Sequence, residues 1–385
     1  MHRTQLKPGH HRGLFALGAL AAVGISGTAH AAQIQTVFTI ALENHNFTQP
    51  SSLTSPQQLL GNSAAPYLNS LVTPGNANAQ YTSYFSNMTN VAPGVHPSEP
   101  NYIWQNGGSN FGVFGDSDPG TGPYPNVISA TSFTGQLTKK GISWNTYQED
   151  VQYSTSSLVS ASGAGGIAPS GIAVTTNPYN GTNQYNYAVK HNPMAFFTDS
   201  QNANVKTFSQ LQTDLHNNTY AHYNWITPDQ YNDMHSSLNG GFTYNGVHYT
   251  GDQAAIAEGD NFLSIIVPEI EKTAAFQNGT GMIEIWNDES EGGDTSAYDI
   301  PEIIISKDAK GNAFDVTELV THSGSLLTDQ EIFQTGACLL ASCGATDLSA
   351  AFLPGSIPTG VPEPATLAVL GAGLLGLVYA RRKAA

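Results

Sequence analysis

Residues 36 to 42, TVFTIAL, form an unbroken run of β-branched and apolar side chains that ends on Glu43, Asn44, His45 and Asn46. A run of this length without polar alternation predicts a buried strand. Further strands are predicted at Ser143-Tyr147, Tyr223-Thr227, Met282-Trp286 and Pro301-Ser306. Between and after them, helical patterns cover Ser132-Lys140, Phe208-Leu215, Asp252-Lys272 and Leu326-Phe333. Alternation of short strands with helices predicts an α/β fold, a three-layer α/β/α sandwich around a mostly parallel central sheet. Residues 33-334 read as one continuous domain without internal repeats. The stretch 156-186 has the poorest periodic signal and predicts a surface insertion, and 335-361 reads as a small-residue linker.

In such sheets, ligands bind beyond the carboxyl ends of the strands. Three predicted strands deliver polar groups there. The first ends in Glu43-Asn44, the third in Asp229 followed by Asp233-Met234-His235, and the fourth in Asn287-Asp288-Glu289. Carboxylates gathered at one edge repel one another unless protons or a cation compensate, and a divalent metal ion is the simplest compensator.

Composition changes this picture mainly through the termini. The 385 residues are 40% hydrophobic and only 11% charged, so the polar surface rests on amides and hydroxyls, as suits a protein outside the cytoplasm. Arg3, Lys7 and Arg12 precede an apolar run, Leu14 to Ile25, and then Ala29-His30-Ala31, so residues 1-31 read as a signal peptide for signal peptidase. At the other end, Pro362-Glu363-Pro364 leads into an apolar helix from Ala365 to Ala380 and then Arg381, Arg382 and Lys383. This tripartite tail, 362-385, resembles the PEP-CTERM sorting signal of biofilm-forming Gram-negative bacteria. The resemblance implies transient inner-membrane anchoring, a dedicated sorting protease, and delivery to the cell surface or an exopolysaccharide matrix. Without both signals the body keeps 7 basic against 28 acidic residues, net −21, which excludes long-range attraction to nucleic acid. Cys338 and Cys343 are the only cysteines, and an oxidising compartment allows them to close a small loop.

The order of motifs carries a second resemblance. "ENHNFT" from Glu43, "HPSEPNY" from His96, "WNTYQEDV", "VKHNPMAFF", "WITPDQYNDMH", "GDNFLSIIVPEI", "WNDESEGGD" and "THSGSLL" follow one another as in the bacterial phosphoesterase family of the alkaline-phosphatase-like superfamily, which contains acid phosphatases and phospholipases C. The resemblance implies an alkaline-phosphatase-like sandwich and hydrolysis of phosphate esters with one or two divalent metal ions. It makes Ser98, two residues before Pro100-Asn101, the nucleophile. Glu43 and Asn44 with Asp288 and Glu289 become metal ligands, although Asn287 stands where the family has its acidic pair, so Asn287 with Asp288 is an alternative. Asp233, His235 and His322 suggest a second metal site, and Asn101, Lys190 and His191 suggest contacts to phosphoryl oxygens. Acid phosphatase-like monoesterase activity is the leading expectation. A phospholipase C-like diesterase and an inactive matrix protein are the alternatives.

Overall fold

The computed structural model describes residues 33–90, 95–117, 119, 127–151, 175–201, 203–290 and 298–358. Both expected sorting segments, 1-31 and 362-385, lie outside them. Among the described residues no helix is long and apolar enough to cross a membrane.

Eight strands build the central sheet: β1 (Thr36–Leu42), β2 (Thr82–Phe85), β3 (Trp144–Gln148), β4 (Val205–Thr207), β5 (Tyr223–Thr227), β6 (Gly281–Asn287), β7 (Ile303–Ser306) and β8 (Phe314–Val316). Their order in space is β8-β2-β7-β6-β1-β5-β3-β4. Only β7 runs against the others, pairing antiparallel with β6 and β2. All seven residues of β1 are buried because it lies between β5 and β6 with both faces covered. The period of two sends Phe38, Ile40 and Leu42 to one face and Val37 and Ala41 to the other. Helices α1 (Pro66–Leu71), α4 (Phe208–Asn217), α5 (Asp252–Glu271) and α6 (Ala274–Gln277) cover the first face, and α2 (Ser98–Gly107), α3 (Phe133–Lys140) and α7 (His322–Ile332) cover the second. The expected three-layer, mostly parallel sandwich is therefore present.

The register sets the edge that matters. Leu42 pairs with Asn287, Ile40 with Ile226, and Gln148 with Thr227, so β1, β6, β5 and β3 end side by side. Glu43, Asp288, the loop from Asp229 and also Glu149 thus leave the sheet at one place.

Two expectations are corrected. The stretch read as a linker, 335-361, is packed against the domain as far as it is described: Leu339, Leu348, Ala351, Phe352 and Ile357 are buried in the second face's core. A Cβ on Gly108, at the end of α2, would stand 2.2 Å from the Leu339 carbonyl oxygen. Cys338 and Cys343 form a disulfide beside this contact. Likewise, the described end of the stretch read as a surface insertion is interior, because Asn177, Tyr179 and Tyr185 are buried and Tyr179 packs edge-on to Phe208 and Phe262. Residues 152-174 lie outside the description.

The interior holds carboxyls without basic partners. Glu284 of β6, Glu302 and Asp329 are buried, and among the described residues no Lys or Arg pairs with them, with Glu149 or with Glu258. Burial pushes Glu149 up to about 8, helped by Asp150, and pushes Glu258 up to about 8. A carboxyl whose folded pKa is raised takes up a proton on folding, so its stabilising share is complete below about pH 4.5 and is lost as pH rises through about 8. The protein in chelator is therefore expected to melt at its highest temperature near pH 4.5 and about 5 °C or more lower at pH 8. Calorimetry that showed a flat or rising melting temperature over this range would refute the expectation.

Candidate active site

Helix α2 begins the site. Pro97 precedes its first residue, Ser98, and Pro100 sits in the first turn, where a missing N–H costs nothing. Ser98, Asn101 and Tyr102 are spaced i, i+3, i+4 and share one helix face. The Ser98 hydroxyl donates to Glu43 Oε2 at 2.9 Å, and Ser98 is 2% exposed. Asn101 Nδ2 donates to the Val95 carbonyl at 2.7 Å and to Glu289 Oε2 at 3.3 Å. Tyr102 stacks on His191 with ring centroids 4.8 Å apart.

Glu43, Asp233 and Asp288 are all fully buried. Burial, then Asp288 and Asp233, push Glu43 well above the usual carboxylate range, and burial does the same to Asp233 and, with Glu289, to Asp288. His191 lies between two of them. Its Nε2 is 3.0 Å from Glu43 Oε1 and its Nδ1 is 3.4 Å from Asp233 Oδ2. Neither approach has hydrogen-bond geometry, so both ring nitrogens, Glu43 Oε1 and Asp233 Oδ2 stay without hydrogen bonds, as does Asp288 Oδ2. Burial, with Lys190 and His235, pushes His191 well below the ordinary imidazole range, so the ring is neutral and can act as a ligand. The ligand atoms of Glu43, His191 and Asp233 all lie within 4.8 Å of one another. Orphaned buried carboxylate oxygens around a neutral imidazole fit a divalent cation.

A second set of oxygens adjoins the first. Asp288 Oδ1 accepts from the Asn44 backbone N–H at 3.0 Å and from Glu289 N–H at 2.7 Å. One end of the Asn44 carboxamide lies 3.2 Å from both Glu43 Oε2 and Glu289 Oε1. With its NH₂ there it bridges the two carboxylates, and with its oxygen there three oxygens converge as hard-cation ligands do. Asn44 has a φ of 45°, which Asn tolerates and which turns the chain directly after β1.

The expected residues are not all gathered together. His235 is half-buried; its backbone N–H donates to Asp233 Oδ1 at 2.8 Å, its Nδ1 faces the Ser236 hydroxyl, and burial lowers its pKa to about 4. His322 Nε2 meets the Asn287 carbonyl at 2.8 Å while its ring leans on Trp286, so it braces the turn after β6. Asp233 thus faces His191 rather than His322. Asn287 Nδ2 donates to the carbonyls of His45 and Glu289 while its Oδ1 stays without a hydrogen bond, so Asn287, Asp288 and Glu289 all present oxygens beside Ser98 and Asn101. Lys190 Nζ donates to Asp116 Oδ2 at 2.7 Å; burial works against its charge, but Glu43 and Asp116 outweigh that and raise its pKa.

Sequence reasoning missed Tyr102 and Glu149. Glu149 accepts from Asn177, from Asn232 and from the Asp229 backbone N–H, and so holds the loop that carries Asp233. Its signal was present, since Glu149 follows a predicted strand as Glu43 does.

The phosphoesterase family profile matches residues 34–247, and the PEP-CTERM protein-sorting motif matches residues 360–383. The chain is similar to a probable acid phosphatase of Kluyveromyces lactis, 33% identical over 159 residues that make up 39% of this chain and 32% of that protein. It thus spans about a third of the length of that relative. A phosphatidylinositol-3-phosphatase of Mycobacterium tuberculosis is 23% identical over 280 residues, 72% of this chain and 73% of that protein. A solved structure of a protein in the alkaline phosphatase superfamily from Vibrio parahaemolyticus superposes at a TM-score of 0.46 with 11% identity, covering 78% of this chain and 67% of that one. The family profile spans more than half of the chain and includes Glu43, Ser98, His191 and Asp233, so the chain belongs to the phosphoesterase family.

Proposed function

We propose that the protein is an exported hydrolase that cleaves phosphate monoesters with Ser98 as nucleophile. The observation that carries this reading is the Ser98 hydroxyl, 2.9 Å from Glu43 Oε2 at the start of a helix and beside buried carboxylates. Ser98 Oγ attacks phosphorus, the ester oxygen leaves as the alcohol, and water then cleaves the phosphoserine to release inorganic phosphate. Glu43 Oε2 orients the hydroxyl and is a base within reach of its proton. The N-terminal end of α2 favours the negative charge that develops at Oγ. Lys190 steadies the phosphoryl oxygens. Glu43, His191 and Asp233, with Asn44, Asp288 and Glu289 beside them, would hold a divalent ion, which supplies positive charge to lower the serine pKa and offset the phosphoryl charge. The terminal signals support export, with a sorting protease as partner, to a cell surface or matrix.

Monoesterase activity is favoured because the similar proteins are named as acid phosphatases and as a phosphatase of a lipid monoester. Nitrophenyl phosphate is expected to turn over at least about tenfold faster than bis-nitrophenyl phosphate or phosphatidylcholine, and excess chelator to remove about 99% or more of the rate. Equal rates with chelator would refute the metal requirement, and faster diester cleavage would make the protein phospholipase C-like. No turnover of any ester with metal present would favour an inactive matrix role.

A further inference from the structure

One carboxylate at the mouth of the site takes no part in the metal cluster. Asp116 Oδ1 accepts the backbone N–H of Glu99, the residue after Ser98, at 3.1 Å, while its Oδ2 accepts Lys190 Nζ at 2.7 Å. The contact is reciprocal, because the Glu99 carboxylate accepts the backbone N–H of Ser117. The loop at 116–117 is thereby latched to the nucleophile's own turn.

Both donors held by Asp116 are of the kind that bind phosphate. The first-turn N–H groups of a helix have no carbonyl partners within the helix and point towards an anion, and Pro100 removes one of the few in α2. Glu99 N–H, which Asp116 holds, is therefore the first-turn donor adjoining Ser98. Lys190 is the second donor that Asp116 holds, and Glu43 and Asp288 also favour its charge. The Asp116 side chain is one-third exposed, whereas that of Lys190 is 16% exposed, so the carboxylate enters from the solvent side. A carboxylate and a phosphoryl group both offer two oxygens on one centre with negative charge, and they compete for the same pair of donors.

We propose that Asp116 is a built-in stand-in for the substrate's phosphoryl oxygens, occupying the Glu99 N–H and the Lys190 ammonium until a phosphoryl group displaces it. The proposal rests on the reading of Ser98 as the nucleophile of a phosphoesterase. It makes Asp116 a residue that sets affinity for substrate and for the product, inorganic phosphate, and thereby limits product inhibition. The opposite role, a carboxylate needed to hold Lys190 in place, predicts the opposite sign.

The test is calorimetric binding of inorganic phosphate to the full chain with excess Mg²⁺, alongside KM and kcat for nitrophenyl phosphate. Asp116→Asn keeps the shape and removes the charge, and it is expected to tighten phosphate binding about three- to tenfold and to lower KM by a similar factor. Asp116→Ala is expected to tighten binding at least as much. Weaker binding in both variants, or a change of less than about twofold, overturns the proposal, as does a failure of all three proteins to bind phosphate. If the parent protein cleaves no phosphate ester, the proposed function fails separately, because the phosphate-binding comparison still reads out Asp116.

Discussion

Ser98→Ala is expected to lower kcat/KM for a phosphate monoester by about a thousandfold or more while the protein still binds its metal. The expectation follows from what the hydroxyl touches. It donates to Glu43 Oε2 and lies beside Asp288, and removing it subtracts the attacking oxygen without touching Glu43, His191 or Asp233, whose ligand atoms lie within 4.8 Å of one another. Ser98 is the first residue of α2, where Ala serves the helix as well as Ser does, so the melting temperature should change little. Metal content measured by elemental analysis should match the parent. A variant that kept more than about a tenth of the parent rate would remove Ser98 from the mechanism, and one that lost its metal would mean that the hydroxyl is chiefly a ligand.

What the sequence made legible was what burial on both faces imposes. β1 and β5 could be read to the residue because strands enclosed in a parallel sheet are rich in β-branched and aromatic residues, and the carboxylate that follows is then conspicuous. Glu43, Asp233 and Asp288 were found by that contrast. α2 was not read as a helix, because Tyr102, Ile103 and Trp104 are consecutive rather than periodic and two prolines lie at its start. β4 and β8, three residues each, are too short to carry a pattern.

His191 shows why residue roles are harder to read than residue positions. In "VKHNP" it stands beside Lys190, and the local sequence suggests a second cation. Its protonation is decided instead by complete burial, with Lys190 and His235 adding to it, which favours the neutral ring. His322 is held in another way. A histidine after "VT" reads as a ligand, and its Nε2 meets the Asn287 carbonyl, a contact set by where α7 meets the end of β6. Whether an imidazole is a ligand, a brace or a charge depends on contacts that no local pattern contains.

Glu43→Gln separates metal binding from chemistry. Glu43 Oε1 faces His191 and Oε2 accepts from Ser98, so one carboxylate joins the buried His191-Asp233 pair to the nucleophile. Gln keeps the shape and one acceptor oxygen but removes the charge. Metal affinity is expected to fall at least about a hundredfold, since even residues outside the ligand set are worth ten- to hundredfold. Activity should be lost at metal concentrations that saturate the parent and recover in part when metal is raised, which Ser98→Ala must not do. Stability should move the other way in the metal-free protein. Burial raises the folded pKa of Glu43, so in the parent its stabilising share is complete below about pH 4.5 and is lost as pH rises towards the folded value. Gln has no charge to bury. At pH 7 in chelator the variant is therefore expected to be more stable than the parent, by about 1–3 kcal/mol, whereas with saturating metal the parent should be the more stable. This crossing of the two melting temperatures is the decisive reading. If Glu43→Gln is less stable than the parent in chelator as well, Glu43 serves as an ordinary hydrogen-bonded core residue. If it binds metal as tightly as the parent, the residues after β1 form only a turn.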